Sequence, residues 1–149
     1  GSYDAMIPDA ECVRVVAEIM DVLDIGTYVI KINHRRLLDG IFEACGVPAE
    51  NFRVACSSID KLDKTPWEDV RKEMIDEKGL TPEATDSIGE FVRLHGNAEL
   101  VEMLLTHDKL KKSKAALEGL EAIKLLLNYC QIYGLTGKVL FDLSLARGL

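Results

Sequence analysis

The side chains best placed to do chemistry in this chain are basic. In NHRRLLDG, residues 33–40, the run Asn33, His34, Arg35 and Arg36 stands where a strand gives way to a helix. Two arginines in the first turn of a helix oppose its dipole, so they point to an external anion or to a neighbouring carboxylate. Capping the helix is the favoured role for Asn33. In KLKKSK, residues 109–114, Lys109, Lys111, Lys112 and Lys114 gather in an otherwise acidic chain. Such a cluster can follow a phosphate backbone. No aromatic side chains interleave it, and a solvated loop entering a helix is the favoured reading. At the far end Arg147 falls in step with Val139, Phe141, Leu143 and Leu145. A guanidinium extending an apolar row is usually offset by a carboxylate or a phosphate. A solvent-facing arginine is the alternative, and spacing leaves both open.

The remaining reactive groups form no site of their own. His34, His95 and His107 lack metal-ligand spacing. Cys12, Cys45, Cys56 and Cys130 make no C-x-x-C pair, so reduced core thiols are favoured over a zinc site or a disulfide framework. No serine or cysteine has a recognisable catalytic partner, and no glycine-rich phosphate loop is present. The expectation is a segment with no metal and no cofactor of its own, and no self-sufficient active site.

A formal net charge of -7 and a pI of about 5.0 exclude a whole-surface nucleic-acid binder. Any RNA partner must meet a local basic patch. No apolar run reaches the roughly 20 residues a membrane helix needs, so no membrane partner is expected. Gly1 and Ser2 read as a cloning remnant, with native sequence from Tyr3.

The elements that must position these residues alternate in type. Residues 8–24 carry Cys12, Val15, Val16, Ile19 and Leu23 at helical spacing. TYVIKIN, residues 27–33, alternates as a strand. Residues 35–45 return to helix, with Leu37, Leu38, Ile41, Phe42 and Cys45 inward and Gly46 as the stop. From about 48 to 134 the pattern predicts only helices. One spans 51–62. One starts at Thr65-Pro66 with Glu68 closing a capping box, and one starts at Thr81-Pro82 and ends at Gly96. A short one is capped by Asn97, and a long one covers about 113–133. KVLFDLSLA, residues 138–146, then alternates as a second strand. Two strands alone are marginal as a sheet. The pair is expected either to associate with each other or to drive self-association of the piece through open edges.

PDAE, NHRRLLDG, CSSIDKLDK, PWEDVRKEM, ALEGL and FDLSLARGL occur in order, and together they resemble the histidyl-tRNA synthetases of the eukaryotic cytoplasmic type, from Tyr3 to Leu149. The resemblance implies an α+β, predominantly helical fold. Its two strands, about 27–33 and 138–145, would come from a class II synthetase antiparallel sheet. Residues 3–47 and 135–149 would be parts of the catalytic core, and 48–134 an all-helical insertion domain over the tRNA acceptor stem. The parent would be a cytoplasmic homodimeric ligase that uses ATP and magnesium to join histidine to tRNA(His). Arg147 matches the family's catalytic arginine, which contacts the α-phosphate and the amino-acid carboxylate. The family signature continues Arg-Gly-Leu with Asp-Tyr-Tyr, and this sequence holds only Arg147, Gly148 and Leu149. The stop there is read as an engineered, processing or splice boundary inside the catalytic core. Motifs that the family places before Tyr3 and after Leu149 are not in the sequence, so the segment alone is expected to be inactive. Two other readings stand beside this one: a synthetase-like regulatory domain that senses tRNA, and a helical protein-interaction module from a splice product.

Overall fold

A computed structural model describes residues 15, 17–19 and 29–146. Among these, β1 (Ile30–Ile32) leads into α1 (Arg35–Ala44). A block of helices follows: α2 (Phe52–Ile59), α3 (Trp67–Asp76) and α4 (Pro82–Val92). A short β2 (His95–Gly96), α5 (Ala98–Leu105), the long α6 (Lys114–Ile132) and β3 (Val139–Asp142) complete the order. Arg147 and most of the expected first helix lie outside the described residues. Residues 15 and 17–19 of that helix are helical. Ala17 is buried while Val15 and Ile19 are about half exposed, so the face turned to the core is not the one their spacing predicted.

The two expected strands pair with each other, β3 lying between β1 and β2. They run parallel, Ile30 opposite Val139 and Ile32 opposite Phe141. The antiparallel sheet implied by the resemblance is therefore not what joins these two. A parallel pair needs a long crossover, and the whole helical block supplies one. Only β2 is antiparallel to β3, with His95 opposite Asp142. Its presence also corrects the expectation of an all-helical stretch from 48 to 134. The helix that was to end at Gly96 stops at Val92, and Gly96 joins the sheet.

The core follows the predicted helical faces. Leu37, Leu38, Ile41 and Phe42 of α1 are fully buried, as are Ile88, Val92, Leu120, Ile123 and Phe141. Helix ends follow local chemistry. Thr81 accepts from the Ala84 N–H at 3.1 Å with Pro82 in the first turn. The same Thr-Pro pair at residues 65–66 behaves differently: Pro66 is itself the extended N-cap residue, and Thr65 makes no capping bond to α3.

The tightest packing joins α1 to α6. A Cβ on Gly40 would fall 2.2 Å from the Ala116 backbone nitrogen, and one on Gly119 would fall 2.4 Å from that of Leu37. These two contacts run in opposite chain directions, so the helices are antiparallel. The N-terminus of α6 therefore lies beside the C-terminal end of α1.

Burial also sets the thiol chemistry. Cys45 is pushed up to about 11 by desolvation, which Lys109 opposes and Glu90 assists. Burial raises Cys56 and Cys130 too. The thiolate is the reactive form, so two pH units of elevation leave about 100-fold less of it near neutrality. Iodoacetamide at pH 7.5 should label Cys45 at least tens of times more slowly in the native chain than in urea, and Cys56 and Cys130 should also be slowed. The native rate at Cys45 should climb about tenfold per pH unit until the thiol ionises. Peptide mass spectrometry reads each site, and equal native and denatured rates would contradict burial as the cause.

Candidate functional site at the end of the central strand

Strand β3 ends at Asp142 because the side chain there takes over a backbone donor. Its Oδ1 accepts from the Ser144 N–H at 2.9 Å and from the Ser144 hydroxyl at 2.6 Å. The Leu145 N–H returns to the Asp142 carbonyl at 3.1 Å. An Asx turn of this kind competes with the ladder and breaks it. Alternation alone carried the predicted strand to residue 145, three residues too far.

The turn is held from outside as well. The Leu143 N–H donates to the Leu94 carbonyl at 3.2 Å. Asn33, just past β1, donates through Nδ2 to the Leu145 carbonyl at 2.9 Å and to the Leu143 carbonyl at 3.4 Å. Asn33 is thus not the N-cap of α1. His34 fills that role, its Nδ1 accepting from the Arg36 N–H at 3.1 Å. Lys31 Nζ stands 3.6 Å from the other Asp142 oxygen.

Two clefts open around this turn. One is lined by Lys31, Asp60, Asp63, Asp142, Ser144 and Leu145. The other, about 290 Å³, shares Asp142 and Ser144 and adds Trp67, Arg93 and His95. Arg93 donates to the Gly89 carbonyl at 3.0 Å, and its guanidinium carbon lies 5.4 Å from the centre of a Trp67 ring. Gly89 is in contact with the same indole, since a Cβ there would meet it at 2.3 Å. Among the described residues, no group of three His, Cys, Asp or Glu side chains is arranged to hold a metal ion.

The other basic residues lie elsewhere. Arg35 pairs with Asp39 at 3.0 Å, and that hydrogen bond holds its guanidinium protonated more firmly than usual. Arg36 Nε and Nη2 reach Glu118 Oε2 of α6 at 3.2 and 2.9 Å. Of the two options open for these arginines, a neighbouring carboxylate is the one seen for both. The lysine cluster is an exposed turn pinned by buried Leu110 and Ser113. Ser113 caps α6 by accepting from the Ala116 N–H at 3.2 Å. Lys109 faces Glu90 at 3.9 Å, and Lys111 pairs with Asp108 at 3.1 Å, holding that carboxyl below its ordinary value. Lys112 and Lys114 are exposed and make no ion pair among the described residues.

The antiparallel packing of α1 on α6 puts the lysine turn at the end of α1 away from Asn33, one helix length or roughly 15 Å along. The structure therefore joins Asn33 to the segment that leads to Arg147, and keeps the lysines apart from it. Asp142, Trp67 and Arg93 were not singled out from the sequence. The Asp-x-Ser spacing at 142–144 was the available sign for the first. The Trp67 contact is tertiary and had none.

A family model described as histidyl-tRNA synthetase matches residues 3–149. The chain is 54% identical over 149 residues to a cytoplasmic histidine–tRNA ligase of Mesocricetus auratus, covering all of this chain and 29% of that protein. It is 52% identical, with the same coverage, to a mitochondrial histidine–tRNA ligase of Homo sapiens. The crystal structure of histidyl-tRNA synthetase from Nostoc sp. PCC 7120 superposes with a TM-score of 0.86 at 27% identity, over 97% of this chain and 34% of that one. The chain thus spans about three-tenths of the length of the curated relatives it matches.

Proposed function

The chain belongs to the histidyl-tRNA synthetase family, and from that premise we propose that the whole protein activates histidine with ATP and transfers it to tRNA. The observation that carries this reading is the family match running unbroken through residues 3–149, Arg147 included. Arg147 is the catalytic group in this reading. Adenylate formation develops negative charge on the α-phosphate, and a fixed guanidinium supplies the opposing charge in fork geometry. ATP is the co-substrate in this reading, accompanied by magnesium. The whole protein acts as a cytoplasmic homodimer in this reading, although its relatives include both cytoplasmic and mitochondrial forms. No helix among the described residues is long and apolar enough to cross a membrane.

Residues 3–47 and 135–149 belong to the catalytic core in this proposal, and the helical block between them reaches the acceptor stem. The close glycine contacts between α1 and α6 join the helical block to the core across that division. The lysine turn at the head of α6 is the proposed backbone contact. Its separation from the Asn33 end of α1 suits an RNA stem whose end enters the core. By itself the segment is inactive.

The test is binding of the chain to a tRNA(His) acceptor-stem hairpin across a salt series, beside a variant with Lys109, Lys111, Lys112 and Lys114 changed to Ala. Affinity of the native chain should fall with salt, and the variant should lose most of the binding and of the salt slope. Equal binding by both would remove the lysines from the interface. No binding by either at low salt would mean that the block contacts RNA only when the rest of the enzyme holds it.

A further inference from the structure

We propose that Asn33 is a positioning residue for the reaction, acting as a brace that fixes the segment carrying Arg147. The inference rests on the catalytic reading of Arg147 given above. One residue, Ala146, separates Leu145, the last carbonyl that Asn33 holds, from Arg147. Between the end of β3 and that point, the turn's backbone groups are tied one by one. The Leu143 N–H is taken by Leu94, the Ser144 N–H by the Asp142 carboxylate, and the Leu145 N–H by the Asp142 carbonyl. The carbonyls of Leu143 and Leu145 are both taken by the single Asn33 amide nitrogen. With the Lys31–Asp142 ion pair, these two bonds tie the end of β1 to the turn, the shorter one over a sequence separation of 112 residues.

The amide is the group this position requires. Asn33 Oδ1 is buried and has no hydrogen-bond partner, so the side chain is oriented by its nitrogen alone. Rotating the amide would set its oxygen against two carbonyl oxygens. An aspartate of the same shape would do the same with added charge, and an alanine would leave both carbonyls without this donor. Neither change removes the α1 cap, which His34 provides. What each removes is the constraint on where residues 143–145 point. A catalytic group displaced by about 1 Å can lose on the order of 100-fold in rate while ground-state binding is kept.

The experiment is a double-mutant cycle in the full-length enzyme between Asn33→Ala and Arg147→Gln. It is read by histidine-dependent ATP–pyrophosphate exchange, with thermal melting of each variant. Asn33→Ala should lower kcat by about 10- to 100-fold, with KM for histidine and ATP within about threefold of the native values. In the Arg147→Gln background the same change should cost less than about threefold, because there is no longer a guanidinium to misplace. Asn33→Asp, which keeps the volume, should fall with Asn33→Ala and gives a second reading if the alanine variant folds poorly. Full multiplicative loss in the Arg147→Gln background would overturn the brace, since a general structural weakening is indifferent to residue 147. Native kcat in Asn33→Asp would overturn it too. If Arg147→Gln alone left exchange unchanged, the catalytic reading itself would fail, and the brace with it.

Discussion

Arg147→Gln in the full-length enzyme should lower histidine-dependent ATP–pyrophosphate exchange by about 100- to 1000-fold in kcat. That is the usual cost of deleting one preorganised donor aimed at developing charge. Glutamine keeps a planar donor but removes the charge and one arm of the fork. The loss should therefore appear in kcat and kcat/KM together, with KM for histidine changed little. Arg147→Lys separates charge from geometry. A lysine restores a point charge without the planar fork, so it should recover a minor part of the loss. Activity of Arg147→Gln within twofold of native would dismiss the catalytic role. Full recovery in Arg147→Lys would dismiss the fork and leave only charge.

The second large effect lies in the fold. Gly119→Ala should destabilise the chain by about 2–4 kcal/mol in urea unfolding, despite the roughly 1 kcal/mol that alanine gains over glycine inside a helix. The added Cβ would stand 2.4 Å from the Leu37 nitrogen and 2.7 Å from its Cα. Backbone cannot swing aside as a side chain can, so α1 and α6 must separate. Their separation would also stretch the Arg36–Glu118 pair and pull on Asn33, two residues before Arg35. Gly46 is the control. Its φ of +85° makes Gly46→Ala costly for a different reason, with nothing within 4 Å of the new Cβ. That cost is about 1–2 kcal/mol. If Gly119→Ala proved no worse than Gly46→Ala, the close helix approach would not be what holds this pair.

The contrast between those glycines marks what the sequence could say. Gly46 was legible as a helix stop and has a positive φ, as do Gly79 and Gly134 at later helix ends. Gly40 and Gly119 sit inside helices, where only the partner helix explains them. The apolar face of α1 was legible from spacing, because burial follows periodicity. Strand β2 was not, since two residues carry no period and its pairing depends on β3. Asn33 shows the same division in the candidate site. Its position before a helix predicted a cap, but the neighbouring histidine caps and Asn33 turns to carbonyls more than 100 residues away. The basic residues were visible as types. Which of them would face carboxylates was decided by tertiary packing, as with Arg36 and Glu118.

The parallel pairing of β1 with β3 has a consequence for the order of assembly. Its partners stand at the two ends of the helical block, so closing the pair early would mean ordering a loop of about a hundred residues before any reward. The helices between them are built from near neighbours and can form first. Hydrogen-exchange pulse labelling during refolding should find amides of α3, α4 and α6 protected before those of Ile32 and Phe141. Seen in time rather than in space, the sheet is a clasp: it closes last, over helices that already stand.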